Sequence, residues 1–397
     1  MLFSADYISR FTDEKISSLM SSFGAVCVYG PRQCGTTTTA LHHALSSGSP
    51  RFIDDWQEFP EVSGAVITAC AETWKNGLFV ASSSEVPDPA STSEESCNGR
   101  TAFVHMSTMS LYELGISSGF VTLRQLFDED FSRISTGTPD IREIYRYCLR
   151  GGWPQVMNLD DDDARLFAER YLNIVADSLD ETKGRLKRGK ILNLIKALAG
   201  IESEVGNTSD ILQTIGQDDS LSLSRNTLLS YLDSFERLML IEEQPAFIPA
   251  AKVSRIILKT PKRRFTDPSL VTAALDITPD DIIANPYLFS RVFDNLCVHE
   301  LRVYAEAIGA KVYHYRDSYG VSADAIVQLE DGRWGAFKHI LNPNDEAAAA
   351  IDLLKLEGAF RGTASAPCTL CIICGLATEA YTRPDGVKVL PITALKP

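Results

Sequence analysis

Ala25-Val-Cys-Val-Tyr-Gly30-Pro-Arg-Gln-Cys-Gly35-Thr-Thr-Thr-Thr-Ala40 is the stretch whose reading decides the fold. Residues Ala25 to Tyr29 form an unbroken apolar run, the pattern of a strand buried on both faces. Gly30 to Gly35 then read as a tight turn, and Thr36 onward as the opening of a helix. Two glycines five apart, followed by a hydroxyl residue, match the phosphate-binding pattern G-x-x-x-x-G-K-[ST]. Thr37 fills the hydroxyl position. Thr36 stands where the pattern has lysine, the residue that meets the β- and γ-phosphates with a full positive charge. Arg32 lies in the turn at a position that does not replace it.

The surrounding sequence supplies the other parts that such a loop needs. Backbone N–H groups over Gly30, Pro31, Gln33, Cys34, Gly35, Thr36, Thr37 and Thr38, proline excepted, are placed to cradle phosphate oxygens at a helix N-terminus. Arg51-Phe-Ile-Asp-Asp-Trp-Gln57 reads as an apolar strand closing on two carboxylates. Asp54 is the candidate to hold Mg²⁺ together with Thr37, and Asp55 the candidate to orient an attacking water. Gly77-Leu-Phe-Val-Ala81 reads as a further strand, with Ser82 at its end placed to sense a γ-phosphate. Strands alternating with helices at this spacing predict a parallel sheet covered on both faces.

Beyond about residue 138 the pattern turns helical, through Ile141–Arg150 and Ala164–Asp180. The run Asp160–Asp163 is read as charge favoured by a helix N-terminus. From about Ile191 to Phe265 a helical stretch ends in an expected hairpin, Gln244–Ile248 with Ser254–Leu258. Helices followed by a β-ribbon are the order of a winged helix, used to hold DNA or protein. The last segment alternates a helix from Leu288 to Ile308 with strands at Lys311–Arg316, Ala323–Gln328 and Gly335–Ile340. A helix over Glu346–Phe360 and a strand over Thr369–Cys374 follow. A metal-dependent nuclease core needs a helix acid, a strand Asp and a Glu-x-Lys. Asp294 and Asp324 fit the first two, but Lys338 and Ile340 do not complete the third, and a lysine there repels a cation.

Composition narrows the classes. Over 397 residues the chain is 45% hydrophobic and 23% charged, ordinary for a globular protein of several domains. No run reaches the ~18 apolar residues that span a bilayer. Neither a membrane segment nor a targeting peptide is expected, which points to the cytoplasm. Nine cysteines do not make a disulfide framework. Cys368, Cys371 and Cys374 have metal-like gaps, but the strand period puts Cys371 on the face opposite the other two. A net charge of −14 argues against non-specific nucleic-acid binding by the whole chain. Asp180–Phe265 carries 14 Lys and Arg against 11 Asp and Glu, concentrated in Lys183–Lys190 and Lys259–Arg264. That basic middle is either a solvated surface or a face for DNA.

These motifs together resemble the prokaryotic AAA-type ATPases that join an ATPase domain to a C-terminal domain of unknown function. The resemblance rests on Gly30–Ala40, Ile53–Gln57, Ala81–Ser84, Met109–Gly115, Gly151–Pro154, Lys262–Leu270 and Tyr313–Asp317, and so spans nearly the whole chain. It implies a P-loop AAA-type parallel sheet domain over 1–135, a helical lid over 136–190, a winged-helix-like domain over 191–284 and an α/β restriction-endonuclease-like domain over 285–397. It implies ATP and Mg²⁺ as ligands, and leaves an oligomer open. The chain departs from the family pattern at Thr36 for lysine, at Asp55 for glutamate and at Lys338-His-Ile340 for Glu-x-Lys. Its span between loop and acidic strand is also short. Arg100 is the candidate for an arginine that the pattern places near the strand after Gly99. The expectation is an ATP-binding protein with weak or absent hydrolysis. The alternatives are a non-catalytic scaffold that holds a protein or DNA partner, and a Mg²⁺-dependent nuclease.

Overall fold

The computed structural model describes residues 7–46, 51–87, 99–128, 133–137, 139–184, 186–204, 208–215, 223–249, 256–363 and 365–397. The first two residues of the expected strand Ser254–Leu258 fall outside them. Contacts divide the chain into two compact units.

The first unit comprises Met1–Met109, Gly152–Met157 and Leu232–Leu240. It is mixed α/β around a four-stranded parallel sheet. Its elements are α1 (Thr12–Ser22), β1 (Ala25–Tyr29), α2 (Thr36–Ser46), β2 (Arg51–Ile53), α3 (Pro60–Thr73), β3 (Phe79–Ser83) and β4 (Thr101–His105). The strand order is β2-β3-β1-β4, with Ala25 level with both Phe79 and Thr101. β1 is central, which is why it is apolar at every position and why Val26, Cys27 and Val28 are fully buried. Val66 and Cys70 of α3 close one face over Ala25, Cys27, Phe79 and Ala81.

α2 opens on four threonines, whose branched side chains favour strand over helix. Tertiary burial of Thr39, Ala40 and Ala44 overrides that preference. β2 is shorter than the sequence suggested and stops at Ile53 rather than Gln57. Asp55 takes left-handed backbone (φ 43°, ψ 49°), which a short polar side chain tolerates. The chain there turns into a short 3-10 segment that drops Trp56 into the core, edge-on to Phe103 at 6.1 Å.

The second unit comprises Ser110–Gly151, Asn158–Tyr231 and Ile241–Pro397. Its strands are β5 (Val121–Thr122), β6 (Ile134–Ser135), β7 (Ile241–Gln244), β8 (Lys262–Phe265), β9 (Lys311–Arg316), β10 (Ser322–Gln328), β11 (Trp334–Ile340), β12 (Thr369–Cys374), β13 (Glu379–Thr382), β14 (Lys388–Pro391) and β15 (Leu395–Lys396). Seven of them form a mixed sheet in the order β6-β13-β14-β12-β11-β10-β9. Residues 110–135 belong to this unit, since β5 pairs with β15 and β6 with β13. The helix Glu346–Phe360 packs through Ala349, Ala350, Leu353, Leu356 and Phe360 onto a core that includes Ala323, Ile326, Ala336 and Ile372. Asp160 caps the helix Asp161–Lys183 by accepting from the Asp163 N–H at 2.8 Å, the dipole-favoured role expected of that acidic run.

The antiparallel pair before the last segment is not the expected one. β7 pairs with β8 instead, Ile241 opposite Phe265 and Gln244 opposite Lys262. Strand alternation puts Lys262 and Arg264 on one face, and the structure buries both. Of the basic run Lys259–Arg264, Lys262 and Arg264 therefore point inward, while Arg263 is half-buried and Lys259 exposed. The other basic stretch is also paired within the unit. Lys183 donates to Ser230, Lys187 lies 3.4 Å from Asp180, and Arg188 lies 2.7 Å from Asp177.

Candidate functional site

The phosphate-loop sequence sits at the C-terminal end of β1, where strand order reverses between β3 and β4. In open parallel sheets that crevice is where ligands bind. The two glycines of the motif are required by geometry. A Cβ on Gly30 would come within 2.1 Å of the Met106 carbonyl oxygen, and Gly35 adopts φ +105°. Gln33 also has positive φ, 68°, so the turn doubles back before α2 begins. Gly30, Pro31, Cys34 and Thr36 are buried, Gly35 is half-buried, and Gln33, Thr37 and Thr38 are exposed. The N–H groups that open α2 have no carbonyl behind them in the helix, which is what anion binding needs. Cys34 faces inward, its thiol donating to Met106 O at 3.4 Å. Burial pushes that thiol up to about 11 against the pull of Arg10, so it stays protonated.

The acidic and polar strand ends converge on this loop. Thr37 Oγ1 donates to Asp54 Oδ1 at 2.9 Å, and Ser82 Oγ donates to the same oxygen at 2.5 Å. Ser82 in turn accepts from the Asp55 N–H at 3.2 Å. One strand separates β1 from β2, and Ser82 on that strand bridges the gap. Asp55 is held differently. Its Oδ1 accepts from Gln57 Nε2 at 3.1 Å and from Ser84 Oγ at 3.3 Å. Gln57 also reaches Ser84 Oγ, at 3.1 Å. Thr36 is only 6% exposed and brings no charge to the loop. Arg100 donates to Lys75 O and to Asn76 Oδ1, at the end of the sheet where its strand begins.

Arg10 lies in a segment without a motif. It is 7% exposed, and its guanidinium donates to Cys34 O at 3.0 Å and Ser107 O at 2.8 Å.

A separate cluster lies in the second unit. Asp294, Asp324 and His339 bring ligand atoms within 4.8 Å of one another. His339 falls at the middle position of Lys338-His-Ile340, which the Glu-x-Lys pattern leaves unassigned. By composition the three suit a divalent cation, but three of the four carboxylate oxygens are hydrogen-bonded within the protein and the fourth faces the Arg264 guanidinium. Asp294 Oδ1 meets His339 Nδ1 at 2.5 Å, and its Oδ2 meets Arg264 Nη2 at 2.9 Å. Asp324 Oδ1 meets Lys338 Nζ at 3.3 Å, and its Oδ2 accepts from the His339 N–H at 3.0 Å. Arg264 also donates to Gln244 Oε1 at 2.7 Å and Ser203 Oγ at 2.8 Å, and stands 3.7 Å from Glu202.

Burial alone would raise the Asp294 carboxyl, but Arg264 and the His339 hydrogen bond overrule it and hold it well below the ordinary range. Burial likewise opposes ionisation of Asp324, and Lys338 reverses the balance and lowers it. Burial and the charge of Arg264 push Lys262 down. Burial, then Lys262, pushes His314 down to about 4, so it is neutral near pH 7. Lys262, Arg264 and Lys338 together match Glu202, Asp294 and Asp324 in number. A divalent cation does not fit these residues without displacing the built-in ones.

Cys371 and Cys374 are buried in β12 and Cys368 is exposed. Among the described residues the cysteines form no metal-holding group. No helix among them is long and apolar enough to cross a membrane.

Comparison with known proteins adds little to this geometry. A family model described as "Domain of unknown function (DUF8612)" matches residues 141–281, less than half of the chain. Among solved structures, a Walker-type ATPase of Pyrococcus abyssi is similar at 12% identity and a TM-score of 0.41, over 69% of this chain and 99% of that one. No curated protein matches the chain in sequence.

Proposed function

We propose that the first unit binds ATP with Mg²⁺ at Gly30–Thr37 and Asp54, and that it hydrolyses the nucleotide weakly or not at all. The observation that carries this reading is the meeting of Thr37, Asp54 and Ser82 on one carboxylate oxygen beside the loop. A hydroxyl and a carboxylate in contact at a helix N-terminus are the protein's share of a Mg²⁺–phosphate site. The N–H groups from Gln33 to Thr37 would hold phosphate oxygens, and Ser82 would orient Asp54. Bound Mg²⁺ would neutralise charge on the β- and γ-phosphates.

Two features support weak hydrolysis. Thr36 lacks the charge that stabilises phosphoryl transfer in the transition state, and such electrostatic terms are among the largest in catalysis. Asp55 is engaged by Gln57 and Ser84 and is one methylene shorter than glutamate, which leaves it poorly placed to activate water. The nucleotide then acts as a structural or regulatory ligand.

A second reading is a scaffold in which residues beyond the first unit hold a protein or DNA partner. It is favoured by the internal pairing of Asp294 and Asp324, whose carboxylate oxygens all face donors or cations of the protein itself.

The test is thermal unfolding with Mg²⁺-ATP. A ligand that binds only the native state at a hundred times its Kd adds ~2.7 kcal/mol of stability. The melting temperature should rise for wild type and not for Asp54→Ala. An unchanged wild-type melting temperature at millimolar Mg²⁺-ATP would favour the scaffold.

A further inference from the structure

Arg10 reaches the phosphate loop from a part of the chain that no motif marks. It lies at the turn before α1, and its position is fixed at both ends. At the main chain, its N–H donates to Asp13 Oδ2 at 2.8 Å and its carbonyl accepts from the Asp13 N–H at 3.0 Å. At the tip, the guanidinium donates to the carbonyls of Cys34 in the loop and Ser107 beyond β4. Asp13 also contacts His43 Nε2 at 3.1 Å, on the helix that the loop opens. The turn that carries Arg10 therefore grips both the loop and its helix.

The guanidinium is close enough to act on the loop's own electrostatics. Its Nη1 lies 3.7 Å from where a Cβ on Gly35 would be, directly against the residue that precedes Thr36. Arginine is always ionised and hydrated more weakly than lysine, so it tolerates burial at 7% exposure. A buried charge interacts across a few ångströms far more strongly than it would in water.

We propose that Arg10 is a positioning residue for the phosphate loop, and that its guanidinium supplies from behind the loop part of the positive charge that Thr36 does not. The proposal rests on the nucleotide reading above and adds the source of the charge. The ligand it favours is the triphosphate over the nucleoside, because a cation behind the loop acts on phosphate and not on the base.

The test is calorimetric titration of the full chain with Mg²⁺-ATP, for wild type, Arg10→Lys, Arg10→Gln, Thr36→Lys and the double variant Arg10→Gln/Thr36→Lys. Glutamine can keep one carbonyl bond but loses the charge, whereas lysine keeps the charge but loses the fork. Loss of a charged contribution to phosphate binding should weaken Arg10→Gln by about tenfold, with Arg10→Lys within about threefold of wild type. The gain from Thr36→Lys should be larger in the Arg10→Gln background than in wild type, because the new lysine then fills a larger deficit.

A purely structural tether gives a different pattern. Lysine and glutamine at position 10 would lose affinity alike, and the Thr36→Lys gain would be the same in both backgrounds. That result overturns the proposal while leaving nucleotide binding intact. If Arg10→Gln does not fold, Arg10→Lys alone decides, since the tether predicts that it loses as much affinity as the charge account says it retains. Failure of both wild type and Thr36→Lys to bind Mg²⁺-ATP removes the nucleotide reading and this proposal with it.

Discussion

Replacing Arg264 with methionine is the sharpest perturbation of the second unit, because the side chain holds three kinds of partner while only 1% exposed. Its Nη2 pairs with Asp294 at 2.9 Å, its Nε with Gln244 at 2.7 Å and its Nη1 with Ser203 at 2.8 Å. Methionine fills much of the volume but leaves the Asp294 carboxylate in the interior with His339 as its remaining partner. Breaking a buried pair by removing one member costs about 3–5 kcal/mol. A whole domain is stable by about 5–15 kcal/mol, so the loss is a large share of the total.

The pH dependence identifies the cause. In wild type the Asp294 carboxyl is depressed, so its contribution is present above the unfolded value near ~3.9 and is lost as pH falls through the folded value. Without Arg264, burial governs and the folded value rises above ~3.9. The variant's folded state then binds a proton before the unfolded state does, and the variant gains stability as pH falls from 7 towards 4. The deficit should therefore be about 3–5 kcal/mol at pH 7 and should narrow by ~1.4 kcal/mol for each unit that the carboxyl has risen.

Native-state hydrogen exchange of peptides over β11 and β12 reads this unit separately from the first. A deficit below ~1 kcal/mol, or one that does not change between pH 7 and 4, would refute the closed ion network.

Three further outcomes follow from the geometry. Thr36→Lys should tighten ATP binding by about tenfold to a hundredfold, the worth of one charged hydrogen bond to phosphate, in a direct titration; no gain would mean that Thr36 is not the main lesion. Mg²⁺ or Mn²⁺ should leave hydrogen exchange over β10 and β11 unchanged and support no DNA cleavage; cleavage that is lost in Asp324→Ala would restore the nuclease reading. Ser82→Ala should weaken Mg²⁺-ATP binding while leaving Mg²⁺-free binding nearly unchanged, because it frees Asp54 without touching the loop; equal losses with and without Mg²⁺ would show Ser82 acting through the fold.

The parts of this fold that can be read from sequence are those whose signals are local. The strand–turn–helix over Ala25–Ala40 announces itself through an apolar run and two glycines that geometry requires. Strands β9 to β12 and the helix after β11 follow from alternation and helical spacing. The missing parts are those decided by distant partners. Lys262–Phe265 reads as a charged surface until Asp294 and Glu202, from elsewhere in the chain, supply the counter-charge that lets it go inside. β6 is two residues long and exists because β13, more than two hundred residues later, offers it an edge. Asp55 ends β2 early through a backbone preference that an apolar pattern does not carry.

The site divides the same way. Thr37, Asp54 and Ser82 are each at a strand or loop end and were legible. Arg10 and His339 were not, because each matters through what the fold places against it.

Titration of the purified protein with ATP, with and without Mg²⁺, tests the central claim most directly. The account predicts micromolar binding that weakens when Mg²⁺ is withheld and in Asp54→Ala. An absence of heat up to millimolar ATP, in protein that is folded, would contradict it and leave the first unit a scaffold without a nucleotide.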